Sequence, residues 1–85
     1  MKSYKIGSVI GHSIRFADGT KTYTSKGETR ALELVAEKFG IDAKEMIWSD
    51  DAHEDRMLVW ASAGDAEQDD GQRAIAEIRT MRRIA

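Results

Sequence analysis

Tyr4, Ile6, Ser8 and Ile10 fall on one side of an extended segment and Lys5, Gly7 and Val9 on the other, which predicts a first strand over 3–10. Gly11-His12 interrupts it. Ile14 and Phe16 then alternate with Arg15 and run into Asp18-Gly19, a hairpin signal because a two-residue type I′ loop needs φ > 0 at both central positions. With that loop, Phe16 faces Lys21 and Ile14 faces Tyr23, so Ile14, Phe16 and Tyr23 share one face.

The period changes after Thr24. Ala31, Leu32, Val35, Ala36 and Phe39 form a helical stripe, with Arg30, Glu33, Glu37 and Lys38 around it. Ser25-Lys26-Gly27-Glu28 has capping-box spacing, and Gly40 supplies a left-handed stop with Ile41 as its hydrophobic contact. These signals predict a helix over 26–39. Beyond it, Met46-Ile47-Trp48 is a short apolar run and Met57-Leu58-Val59-Trp60-Ala61 a longer one, apolar on both faces as an interior strand would be. Ser49 to Asp55 reads as the hairpin loop between them, and Gly64 to Gly71 as an acidic turn. Ile75, Ile78, Met81 and Ala85 fit a helical stripe, but Asp70-Gly71 favours a return strand over 72–79 with Ala74, Ala76 and Ile78 on one side. The fold class expected is α+β: residues 1–85 as a single domain, a small antiparallel sheet of an N-terminal hairpin and C-terminal strands packed on one amphipathic helix at 26–39.

Composition narrows the function classes. The 85 residues include no Cys, which removes disulfides, thiolate zinc sites and cysteine nucleophiles, and fits a reducing cytoplasm, the expected location. No apolar run approaches the ~20 residues that span a bilayer, and polar residues break Met1–Ile14 as a signal peptide, so no membrane partner is expected. His12 and His53 read as exposed loop histidines without ligand spacing. An EF-hand register started at Asp65 lacks the glycine at its sixth position, and one started at Ala66 loses the oxygens at its first and third. No nucleophile elbow or phosphate-cradling glycine loop is present. The expectation is a non-enzymatic binding protein with no catalytic residue, cofactor or metal.

Charge is uneven. Residues 1–41 carry +3, residues 42–70 carry −8 and residues 71–85 carry +3, within a net charge of −2. The acidic block suggests a basic protein partner, met through Asp50, Asp51, Glu54 and Asp55 in one loop and Asp65, Glu67, Asp69 and Asp70 in another. Trp60, on the second apolar run, is the aromatic most suited to an open sheet face, although core is the default for aromatics in so small a domain. The alternative is a nucleic-acid-binding or regulatory module using the basic N- and C-terminal segments, the latter holding Arg73, Arg79, Arg82 and Arg83. The oligomeric state stays open, a homodimer included.

In its compactness, its lack of Cys and its order of one capped helix (Ser25 to Gly40) followed by strands joined by acid-rich turns (Asp50 to Asp55, Asp65 to Asp70), the chain resembles small mobile-element accessory proteins, the anti-CRISPR inhibitors among them. The resemblance implies an inhibitor that occupies a basic nucleic-acid-binding surface of an effector complex. It carries over no catalytic or binding residue.

Overall fold

The computed structural model describes residues 8–51, 55–67 and 73–83. Among them, β1 (Val9–Phe16), β2 (Lys21–Thr24), β3 (Ile47–Asp51), β4 (Arg56–Trp60) and β5 (Ala76–Arg82) form one antiparallel sheet in the order β2-β1-β5-β4-β3. The helix α1 (Glu28–Phe39) covers one face, and a short α2 (Ala63–Glu67) follows β4. The fold is α+β. None of the described helices is long and apolar enough to cross a membrane.

Alternation along the strands builds the core. Ile14 and Phe16 of β1, Met57 and Val59 of β4, and Ala76 and Ile78 of β5 point to the helix side, where Ala31, Val35 and Ala36 of α1 meet them. Burying such side chains contributes about 1.5–3 kcal/mol each for the larger ones, the dominant favourable term here. Leu32 and Phe39 are partly buried against this core, and Phe39 meets Phe16 edge to face with ring centroids 5.9 Å apart. α1 stops as its sequence predicts: Gly40 is left-handed at φ 66°, and the Gly40 and Ile41 amides both donate to the Ala36 carbonyl. Its start differs. The helix begins at Glu28 with Gly27 as N-cap and no side-chain cap, while the Thr24 hydroxyl accepts from the Lys26 amide. The Ser25–Glu28 capping box is therefore not made.

Several local expectations are corrected. β1 continues through Gly11-His12 rather than breaking there, because β5 pairs along it and a register irregularity between Val9 and Gly11 absorbs the mismatch. His12 is consequently a buried strand residue, 5% exposed, and not a loop histidine; its Nδ1 has no hydrogen-bond partner. Ser49, Asp50 and Asp51 belong to β3 rather than to a loop, paired in register with Leu58, Met57 and Arg56. The first part of the acidic turn expected over Gly64 to Gly71 instead belongs to α2, whose Asp65 amide donates to the Ser62 hydroxyl. The C-terminal segment is a strand, and it lies at the centre of the sheet.

The N-terminal hairpin forms, one residue out of the expected register. Its loop has three residues, Ala17-Asp18-Gly19: the Gly19 amide donates to the Phe16 carbonyl, the Phe16 amide to the Thr20 carbonyl, and Gly19 sits at φ 90°. This is a turn followed by a left-handed glycine bulge. The Asp18 carboxylate favours it by accepting from both the amide and the hydroxyl of Thr20. Because side chains alternate with a period of two, the slip sends Tyr23 to the other face, opposite Ser13 instead of Ile14.

Candidate functional site

The sheet face away from α1 is assembled by register. One rung across it runs Lys21, Arg15, Glu77, Leu58 and Ser49; the next runs Tyr23, Ser13, Arg79 and Arg56, and Arg56 pairs in register with Asp51 of the edge strand β3. Four cations, Arg15, Lys21, Arg56 and Arg79, thus share a face with the carboxylate of Glu77. Two hollows lie on it, of about 430 and 220 Å³, both walled by Arg15 and Glu77.

Glu77 organises this face. Arg56 Nε donates to Oε2, while Arg79 Nε at 3.3 Å and Arg15 Nη2 at 3.4 Å donate to Oε1. Arg56 and Arg79 are direct cross-strand partners, a like-charge pair that costs stability unless an anion stands beside it. Burial alone would push the Glu77 carboxyl up, but the hydrogen bonds from Arg56 and Arg79 outweigh it and hold it below the ordinary value of 4.5. The Glu77 side chain is only 13% exposed, whereas Arg15 and Arg79 remain 59% and 57% exposed. One carboxylate anchors three guanidiniums and leaves two of them largely open to solvent. Lys21 has no carboxylate partner among the described residues.

The acidic set singled out from the sequence is not gathered. Asp55 is tied down: its carboxylate accepts from Arg82 Nε at 2.7 Å and its carbonyl from the Thr80 amide, joining the start of β4 to the end of β5. Asp65 on α2 is 3.8 Å from Arg73, and Glu67 is exposed at the end of that helix. Asp50 and Asp51 occupy β3. Glu54, Asp69 and Asp70 lie outside the described residues, as do His53 and residues 3–7 of the strand expected at 3–10. Trp60, chosen as the open-face aromatic, is buried at 9% exposure; the exposed tryptophan is Trp48 at 45%, on the helix side of β3. Among the described residues no group of three or more His, Asp or Glu is placed to hold a metal ion.

The sequence points to Arg79 only as part of a basic C-terminal segment, and the alternation of each strand read alone does not place it beside Arg15, Lys21 and Arg56. The four come from all three charge blocks of the sequence and meet only because β5 inserts between β1 and β4. No family model matches the chain, and neither does any curated protein or solved structure.

Proposed function

We propose that this protein is a non-catalytic binding module that takes single-stranded nucleic acid on the open face of its sheet. The observation that carries the reading is the register that gathers Arg15, Lys21, Arg56 and Arg79 around Glu77. Exposed guanidiniums suit phosphate oxygens and base faces alike. Tyr23, 50% exposed on the same face, offers a ring for stacking. The face is too broad for a duplex groove: five strands at about 4.8 Å span about 19 Å, against a major groove about 12 Å wide. A single strand laid across the sheet meets no such limit. The reading through acidic turns has less support, since Asp55 and Asp65 both have arginines beside them.

Fluorescence anisotropy with labelled 12-nucleotide RNA and DNA, single- and double-stranded, tests this. Binding to single strands is expected at low salt, weakening linearly in log–log form as salt rises. The triple variant Arg15→Ala, Lys21→Ala, Arg79→Ala should lower that slope by about 2, at roughly 0.7 per phosphate contact. Absence of single-strand binding at ~50 mM salt, or a triple variant that binds normally, overturns the proposal.

A further inference from the structure

A second surface lies on the opposite side of the molecule. Two hollows of about 320 and 500 Å³ border α1 and share Glu33 and Ala43, so they form one groove between the helix and the chain from Gly40 to Trp48. Its apolar wall is Leu32, Ile41, Met46 and Trp48. Met46 is buried, but Trp48 leaves 45% of its surface in solvent, an unusual state for the largest apolar side chain. The remaining charged positions in the wall are all acidic: Glu28, Glu33, Glu37 and Asp42. Arg30 stands beside it, bonded to Glu33 at 3.3 Å and Glu37 at 2.8 Å, so one cation answers two of these four carboxylates. Asp42 accepts from the Lys44 amide, and Glu28 has no ion-pair partner among the described residues.

We infer that this groove docks a basic amphipathic helix from a protein partner. The choice of occupant rests on charge complementarity: an apolar floor with a carboxylate rim and no basic side chain in its wall fits a segment with aliphatic anchors flanked by Lys or Arg, and repels nucleic acid and acidic segments. The groove follows α1, whose twelve residues measure about 18 Å, room for three turns of a partner helix. An occupant running along α1 meets side chains rather than the open hydrogen-bond ladder at the outer edge of β3. That favours a helix over an added strand. Trp48 is the anchor, since tryptophan in a partly desolvated pocket dominates binding energy at protein interfaces.

The test uses the whole protein without nucleic acid and a 14-residue peptide with Leu at helical i, i+3, i+4 and i+7 spacing and Lys elsewhere. Its controls are the same composition in scrambled order and a Leu/Glu counterpart. NMR titration should shift the Trp48 indole and Leu32 methyl signals with the patterned Leu/Lys peptide only. Trp48→Ala should weaken binding tenfold or more. The exposed pair Glu28→Lys, Glu37→Lys, which leaves the core untouched, should abolish it. The sheet-face triple variant should bind the peptide unchanged, so failure here and failure of the nucleic-acid reading are distinguishable. Equal binding of the scrambled or Leu/Glu peptide, or full affinity in the Glu28→Lys, Glu37→Lys variant, overturns the inference.

Discussion

The ring of Tyr23 lies across the backbone of Gly11: a Cβ placed on Gly11 would sit 2.1 Å from the tyrosine Oη and 2.5 Å from Cζ. The hydroxyl continues past the glycine to donate to the Ile10 carbonyl at 3.0 Å. Glycine weakens a strand interior through its entropy and its missing side chain, and the diagonal ring restores cover over that gap. Gly11→Ala should therefore cost about 1–3 kcal/mol by displacing the ring, although strand propensity alone would favour alanine. The double variant Gly11→Ala, Tyr23→Ala should be less destabilised than the sum of the singles, because the clash is shared. Urea denaturation of the four-member cycle measures this; strict additivity would mean that the two residues do not touch.

Phe39→Ala removes the edge-to-face partner of Phe16 at the C-terminal end of α1. Full burial of such a side chain would give about 3–5 kcal/mol, and Phe39 is only half-buried, so the expected loss is about 2–3 kcal/mol. Lys38, with its Nζ 5.4 Å from the Phe16 ring centroid and 3.1 Å from the Asp18 carboxylate, should keep the hairpin loop attached in this variant. Chemical denaturation gives the first quantity, and a loss below about 1 kcal/mol would show that the Phe39 ring adds little packing.

Glu77 should make stability fall in acid. Its folded carboxyl lies below the ordinary 4.5, so its contribution is complete above that pH and disappears as the pH drops through the folded value. Asp18 acts in the same direction: hydrogen bonds from the Thr20 hydroxyl and amide, then Lys38, hold it down to about 2 against an ordinary 3.8. Near neutral pH, Glu77→Gln should cost about 1–2 kcal/mol, since it removes the carboxylate that accepts from Arg56, Arg79 and Arg15. The gap between wild type and Glu77→Gln in urea midpoint should narrow steadily below about pH 4.5. A gap independent of pH would remove the carboxylate's charge from the explanation.

His12 carries a buried Nδ1 without a hydrogen-bond partner, between Thr24 and Thr80 in the register of β1 with its neighbours. An unsatisfied buried nitrogen costs about 1–3 kcal/mol. His12→Leu should then be neutral or stabilising by about 1 kcal/mol, measured by thermal and urea unfolding. A clear loss of stability would show that the imidazole makes a contact that an aliphatic side chain cannot replace.

What the sequence disclosed was local. The helix could be read because the stripe Ala31, Leu32, Val35, Ala36, Phe39 and the stop at Gly40 depend only on neighbours within a few turns. The C-terminal segment was less legible: its spacing also fitted a helix, and the strand expected over 72–79 runs from Ala76 to Arg82, with Ala76 and Ile78 inward as expected. The hairpin showed its limit: Asp18-Gly19 signals a turn, but whether the loop holds two residues or three depends on Asp18 capturing Thr20, and that one residue decides the face of Tyr23. Trp60, singled out for an open face, is buried and Trp48 is exposed for a related reason. Which side of a strand is covered is set by the elements packed on it, not by the strand's own composition. The basic face lay furthest from view, since Arg15 and Glu77 are 62 positions apart and become neighbours only through the strand order.

The position of β5 has a consequence for synthesis. The strand that bonds to both β1 and β4 is the last of the five to be made, while the hairpins on either side are made first. At about 5–20 residues per second, the stretch from Trp60 to Arg82 takes about one to four seconds to emerge. Until β5 is made, the inner edges of β1 and β4 have no partner strand between them. Hairpins form within microseconds, so the vacancy is long on the chain's own timescale. A β5 supplied by a second copy would meet the same two edges, so strand exchange through β5 is the route by which this topology would give a swapped dimer.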